Sequence, residues 1–415
     1  MNKVKLSEIA TVELSSIDKK IAQNEIPVKL CNFTDVYYNW AITEDIISSC
    51  MKGSVKETEL NKFTLKKGQV AITKDSETRD DIGMPCYISD SFDNAVLGYH
   101  CALITPNNNK LNGKYLNALL NTEYARKCFE NQASGSGQRY TLSKEAIESI
   151  QIPLPSLDEQ KRIGSFFSNI DKKIQNNKRQ VEILESIAKT IYDYWFVQFD
   201  FPNEDGKPYK SSGGKMVWDE ELKREIPEGW IVRTLNDLLL VSKDRIASNE
   251  IEDRVYVPIE AIPRNKMSFS ETSDIDKAAT GLCSFEEKAI LFSNRRVYFH
   301  KVSISPFKGV TRDTVIIMYP KNKSNLGYAF QIVNSDHYIE YATKNSYGTE
   351  QPVLATPTAL SYKYACPITG LEIIYSKKVA KIIDKVLEME REIKVLTTLR
   401  NFLIPLLVNG QVTLQ

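Results

Sequence analysis

Residues 156–195 read SLDEQKRIGSFFSNIDKKIQNNKRQVEILESIAKTIYDYW. Apolar side chains fall at Ile163, Phe167, Ile170, Ile174, Val181, Leu184, Ala188, Ile191 and Trp195. The steps alternate four and three, with Asn177 at the one polar position, which is a heptad seam. Pro153 and Pro155 stop any helix before it. Ser156 caps its start, and Glu159 three residues on completes a capping box. The spacing predicts one helix from about Asp158 to Phe196, on the order of 55 Å long.

The seam occurs twice. Val379, Ile382, Val386, Met389, Ile393, Leu396, Leu403 and Leu407 trace the same rhythm, with Ile393 standing for Val181 and Leu396 for Leu184. Arg400 stands where Ala188 stands and breaks the seam, and Pro405 is expected to end or kink this second helix near its C-terminus. Shorter matches keep the same order along the chain. Leu6-Ser-Glu-Ile9 returns as Leu235-Asn-Asp-Leu238, and Val28-Lys-Leu30 as Val257-Pro-Ile259. Tyr115…Leu120-Asn-Thr122 returns as Tyr328…Val333-Asn-Ser335. The chain is therefore read as two non-identical copies of globular unit plus helix. Two matching seams in one chain are expected to pair, in either orientation. The plainer alternative is that each packs on its own globular unit.

Composition sets outer limits. A chain of 415 residues suggests two or three domains. With 42% apolar and 26% charged residues, wholesale disorder is not expected. The net charge of +1 means that any nucleic-acid role rests on local patches. The longest apolar runs, such as Phe402 to Val408, are too short for a bilayer, and the N-terminus lacks the apolar core of a secretory signal. Seven cysteines without a CxxC pair point to reduced thiols in a cytoplasm, and against a disulfide framework or a zinc site. His100, His300 and His337 are the only histidines, and none sits in an HExxH pattern, so neither metal nor cofactor is expected. Ser211-Ser-Gly-Gly-Lys215 lacks the spacing of a phosphate loop and reads as a turn. Gly135-Ser-Gly137 is an incomplete dinucleotide fingerprint.

Between the first helix and the second copy, Pro, Gly, Ser and Asn give loop chemistry, but Phe199, Phe201, Tyr209, Met216 and Trp218 are too apolar for a free linker. An ordered strap is expected. The globular parts read as mixed α/β, with strands at Val70-Ala-Ile-Thr, Val96-Leu-Gly-Tyr, Cys101-Ala-Leu-Ile and Val315-Ile-Ile-Met-Tyr, and helices over Tyr115 to Phe129 and Leu326 to Val333.

Ile152-Pro-Leu-Pro-Ser-Leu-Asp-Glu-Gln-Lys-Arg-Ile163 leading into a heptad helix resembles the conserved region of the specificity subunits of Type I restriction-modification systems. So do Trp195-Phe-Val-Gln-Phe-Asp-Phe-Pro202, Gly206-Lys-Pro-Tyr-Lys-Ser-Ser-Gly-Gly-Lys-Met-Val-Trp218 and Ile226-Pro-Glu-Gly-Trp230. The second copy departs from the pattern. Cys366-Pro-Ile-Thr-Gly-Leu-Glu372 lacks the Pro-Leu-Pro and Glu-Gln elements, and Leu406-Leu-Val-Asn-Gly410 is a looser form of the family's ending. The resemblance covers essentially the whole chain. It implies an α+β protein with two globular mixed α/β target-recognition domains, separated by a long antiparallel two-helix coiled coil, with pseudo-twofold symmetry. The expected segments are 1–156 for the first recognition domain, 157–198 for the first conserved helix and 199–230 for the strap. Residues 231–375 form the second recognition domain, and 376–415 the second helix and tail. The implied function is non-catalytic: recognition of a bipartite asymmetric site in double-stranded DNA, one half per domain, with a spacer set by the coil. The implied partners are two adenine methyltransferase subunits and motor-nuclease restriction subunits.

Base reading needs Arg, Lys, Asn or Gln on exposed loops, with further cations on phosphates. In the first copy the candidates are Lys74 and Arg79 after a strand, and Gln138, Arg139 and Tyr140 at the tip of a flexible glycine-containing loop. In the second they are Arg295 and Arg296 after the equivalent strand, Lys308 and Arg312, and Lys344, Tyr347 and Gln351 in the place of the glycine-containing loop. Each of these cations has a plainer reading as an ordinary solvated charge. An enzyme reading is also possible. Asp276, Glu286 and Lys288 fit the loose D…ExK spacing of metal-dependent DNA endonucleases. A non-DNA coiled-coil scaffold is the third class. No Asn-Pro-Pro-Tyr-like loop of an adenine methyltransferase is present.

Overall fold

A computed structural model describes residues 3–246, 251, 253–278 and 281–414. It divides into two units, residues 1–173 with 396–415, and residues 174–395. Both boundaries fall inside the long helices Leu157–Tyr192 and Leu371–Val408. The helices, read from sequence as segments of their own, are thus each shared between the units.

In the first unit, Val70-Ala-Ile-Thr is buried at every position. A short run that is apolar on both faces makes an interior strand. It lies inside a five-stranded sheet of order Ala10–Leu14, Cys101–Pro106, Val70–Thr73, Pro85–Ile88 and Ala41–Ile42. A second sheet joins Met51–Val55, Ile26–Cys31 and Ala95–Leu97, the last two parallel. Two helices follow, Gly113–Leu120 and Glu123–Gln132. A single helix was expected here, and Thr122 divides it. The Thr122 hydroxyl accepts from Ala125 N at 3.2 Å and caps the second piece. Gln151–Pro153 then pairs back onto Lys3–Lys5.

The second unit repeats this order. Ile231–Thr234 pairs with Lys363–Cys366. Leu239–Ser242, Val315–Pro320, Ile290–Ser293 and Val302–Ile304 form the main sheet. Val255–Tyr256 lies parallel to Gly309–Thr311, as Ile26–Cys31 lies to Ala95–Leu97. Helices Leu326–Val333, Asp336–Lys344 and Thr356–Leu360 complete it. The thin sequence matches therefore mark a real duplication. The strap is ordered. Asp200 accepts from Ser211 N and Oγ at 2.7 and 2.6 Å, Phe201 stacks on Tyr209 and on Trp230, and Met216–Asp219 pairs with Arg224–Pro227.

Ser156 starts the first long helix as expected, accepting from Glu159 N at 3.3 Å. In the first unit Ile163, Phe167 and Ile170 are buried. Asp171 pairs with Arg400 at 3.7 Å, and the Arg400 guanidinium lies over the Trp40 ring at 4.7 Å. The break in the seam thus has a carboxylate and a ring to meet it. In the second unit Asn177 Nδ2 donates to Glu392 Oε2 at 2.7 Å, and the Tyr375 hydroxyl donates to Ala188 O at 2.8 Å. Later residues of one helix meet earlier residues of the other, so the pairing is antiparallel. Ile174, Val181, Val379, Val386, Met389 and Ile393 are buried. Burying such a side chain stabilises by roughly 1.5–3 kcal/mol.

Other seam positions are less covered. Leu184, Ile191, Ile382, Leu396 and Leu403 are half-buried, while Ile383 and Ile404 are buried. The second helix turns an extra face toward its globular unit. A Cβ on Gly327 would meet Val379 Cγ2 at 2.4 Å and Ile383 Cδ1 at 3.4 Å. Pairing of the seams and packing on the globular unit therefore occur together. Pro405 lies inside the second helix and does not end it at once, since the helix runs on to Val408. A proline that close to the end removes few helix bonds.

Candidate nucleic-acid interface

In the first unit, the chain leaving Val70–Thr73 continues as Lys74 and the short strand Asp75–Ser76. The segment expected to be a flexible loop is a hairpin, Ser134–Ser136 with Arg139–Thr141, and its second strand pairs with Asp75–Ser76. Gly137, at φ 66°, makes the turn. The backbone pairing is the reason that Arg139 and Tyr140 sit on a strand and only Gln138 at the tip. Two segments far apart in sequence thus bring Lys74, Arg79, Gln138, Arg139 and Tyr140 together. The Arg79 guanidinium lies 5.3 Å over the Tyr140 ring. Asp75 accepts from Lys74 Nζ at 3.1 Å and Arg139 Nη2 at 3.3 Å, and meets His100 Nδ1 at 2.8 Å. Burial alone would push the Asp75 carboxyl up. Hydrogen bonds from Thr141, His100 and Lys74 outweigh it and hold the group below its usual range.

Beside this cluster lies a cleft of about 610 Å³, lined by Phe33, Tyr37, Tyr38, Asp81, His100 and Gln138, among others. Phe33 stacks on Tyr37 at 5.3 Å, and Tyr38 is 75% exposed. The Tyr37 hydroxyl donates to both Asp81 oxygens at 2.9 and 2.7 Å, and burial followed by that carboxylate pushes its pKa up to about 12. Phe33, Tyr37, Tyr38, Asp81 and His100 were missed from sequence. The aromatic spacing Phe33, Tyr37, Tyr38 was the available signal.

The second unit rebuilds the same corner. Arg295 and Tyr347 both bridge to Val353. Arg296 holds the left-handed conformation at φ 46°, and its N–H donates to Pro352 O at 2.8 Å. Tyr347 is 65% exposed, and Gln351 is exposed in the same turn. Lys344 ends its helix and pairs with Glu340 at 2.7 Å. Asn294 Nδ2 donates to Asp313 O at 3.2 Å, which places exposed Arg312 at this corner. Lys308 is not brought there. It precedes Gly309–Thr311, whereas Arg312 follows it, and its Nζ lies 4.0 Å from Asp253.

The nuclease trio does not assemble. Glu286 pairs with Arg254 at 2.7 Å, Lys288 pairs with Asp384 at 2.7 Å, and Asp276 is exposed in the turn Ile275–Lys277. Among the described residues, no trio of ligating side chains includes either acid.

Residues 1–186 match the family model of the Type I restriction modification DNA specificity domain. Over those residues the chain is similar to a Type I DNA specificity domain. Curated relatives extend the likeness beyond that domain. The MjaIX specificity subunit of a Type I restriction enzyme from Methanocaldococcus jannaschii is 27% identical over 303 residues, 68% of this chain and 65% of the relative. The HindI specificity subunit from Haemophilus influenzae is 23% identical over 412 residues, 85% of this chain and 88% of the relative. The alignment thus spans just under two thirds of the MjaIX subunit. The crystal structure of a Type I restriction-modification S subunit from M. genitalium covers 98% of this chain and is itself covered to 95%, with a TM-score of 0.55 at 14% identity. That likeness shows a shared fold. The matched region ends inside the first long helix, and among the described residues no helix is long and apolar enough to cross a membrane.

Proposed function

We infer that the chain is the DNA-recognition subunit of a Type I restriction-modification complex, each unit reading one half of a bipartite site in double-stranded DNA. One observation carries this reading. The same corner, a post-strand segment joined to a second loop and studded with Arg, Lys, Gln and Tyr, is built twice on one topology with different side chains. Arg139, Arg295 and Arg312 suit guanine edges, and Gln138 and Gln351 suit adenine. Arg79 and Lys344 suit phosphates. Because the two sets differ, the half-sites differ. The chain does no chemistry in this reading. It recruits two adenine methyltransferase subunits and, through them, motor-nuclease subunits. With a net charge of +1, much of the affinity comes from those partners, and binding weakens with salt as phosphate contacts release counterions.

The test is selection of bound sequences from random duplexes, with the methyltransferase subunit present. Arg139→Ala is expected to relax one half-site and cost about 1–3 kcal/mol, and Arg295→Ala the other half-site. Wild-type protein that selects no sequence, or variants whose selected sites are unchanged in both halves, would overturn the reading.

A further inference from the structure

Four of the seven cysteines, Cys31, Cys50, Cys86 and Cys101, are buried in one core of the first unit. Two of them meet a carboxylate. Cys31 ends the strand Ile26–Cys31, Asp35 lies in the first turn of Phe33–Tyr37, and Cys50 closes the helix Glu44–Ser49. The two sulfurs and an Asp35 oxygen lie within 4.8 Å of one another, with both cysteines buried and Asp35 half-buried. From this geometry we propose that Cys31, Asp35 and Cys50 form a binding site for a divalent ion of the zinc class.

The donor set decides the ion. Two sulfurs with one oxygen suit zinc, whereas magnesium and calcium take oxygen ligands. Bonds of about 2.0–2.3 Å put tetrahedral ligand atoms about 3.5–3.8 Å apart, so the trio closes by at most about 1 Å on binding. Asp35 is already oriented, since its Oδ2 accepts from Asn32 N at 2.7 Å. Two thiolates, one carboxylate and one divalent cation leave a single negative charge. The Lys29 ammonium offsets it, held beside the site by Cys50 O at 3.2 Å and Ser48 O at 2.8 Å. Solvent on the Asp35 side supplies the fourth ligand. The ion replaces one proton on each thiol, both protons pass to solvent, and no electrons move. Affinity therefore drops as pH falls, by up to about 100-fold per pH unit for two protons released. The absence of a CxxC pair argued against such a site, but a strand end and two helix ends supply what the spacing lacks. The ion also ties down the helix that carries Phe33 and Tyr37 to the cleft.

The experiment uses the full chain, reduced and stripped of metal, titrated with Co²⁺ and then Zn²⁺. One equivalent is expected, with a thiolate-to-cobalt charge-transfer band that zinc abolishes. Zinc should also protect Cys31 and Cys50 from alkylation, read by peptide mass spectrometry. Cys31→Ser and Cys50→Ser should lose the band, and Asp35→Asn should weaken binding at least about 10-fold. Asp35 is half-buried, so Asp35→Asn keeps the test alive if a serine variant does not fold. The proposal is overturned by no band in wild-type protein, by a band that survives in the variants, or by the two thiols forming a disulfide instead of taking metal.

Discussion

Asp75 and Glu185 are both largely buried carboxylates, and their surroundings drive them in opposite directions. Asp75 keeps its charge because Thr141, His100 and Lys74 hydrogen-bond to it. Its negative charge in turn holds Lys74 and Arg139 in place on the proposed reading surface. Glu185, on the first long helix within the second unit, is pushed up to about 7. Burial is the main cause. Glu390 and Glu182 add to it, while the Met267 N–H and Lys266 oppose it. Glu390, facing it from the second helix, is also raised, chiefly by burial and slightly by Glu271, with Ser270, Lys178 and Lys266 pulling it down. A carboxyl raised in the folded state takes up a proton on folding. Its contribution to stability is complete below the ordinary glutamate range and is lost as pH rises through about 7. The loss is on the order of 3 kcal/mol. Glu185→Gln keeps an acceptor for Met267 N without the charge. Urea unfolding from pH 4.5 to 8 should show the variant gaining on wild type across that window and level with it at the acid end. Parallel curves would refute the assignment. None of this is legible in the heptad reading, in which position 185 lies off the seam. Lys266 and Met267 reach Glu185 from a segment about 80 residues away.

At the scale of elements, each unit docks a short helix against a long one, and each does so through a glycine. In the first unit the glycine is on the long helix. A Cβ on Gly164 would lie 2.7 Å from Lys114 Cβ and Tyr115 N. In the second it is on the short helix, where Gly327 faces Val379 and Ser376. Lys114 precedes Tyr115 as Gly327 precedes Tyr328, so the small residue has changed partners between copies. On propensity alone, Gly→Ala in a helix gains about 1 kcal/mol. Here the added carbon meets backbone or a packed methyl, and overpacking costs about 1–3 kcal/mol. Gly164→Ala and Gly327→Ala should therefore lower stability in thermal melts, while Ser165→Ala on the exposed side of the same helix should not. Stabilisation by both glycine variants would show that these crossings have slack. The seam, the caps and the short buried strands were readable because each depends on neighbours within a few residues. The division at Thr122, the hairpin at 134–141 and the trio Cys31, Asp35 and Cys50 were not. Each depends on a partner or a cap that the apolar rhythm does not encode.

For the whole molecule, the decisive fact is that both units own part of both long helices. A helix of 36 residues spans about 54 Å, and each heptad contributes about 10 Å of it. If two different half-sites are read by two units sharing those helices, the helix length sets the spacer between them. Deleting one heptad from each helix, in register so that the antiparallel seams still match, should shorten the preferred spacer by about three base pairs. The bases read in each half-site should stay the same, because the proposed reading corners lie outside the deleted residues. Sequence selection with the methyltransferase subunit present measures both quantities in one experiment. A shortened spacer with unchanged half-sites supports the helices as the ruler. An unchanged spacer would mean that the distance between half-sites is set elsewhere, and a loss of selection in one half alone would mean that the helix is part of that reading surface.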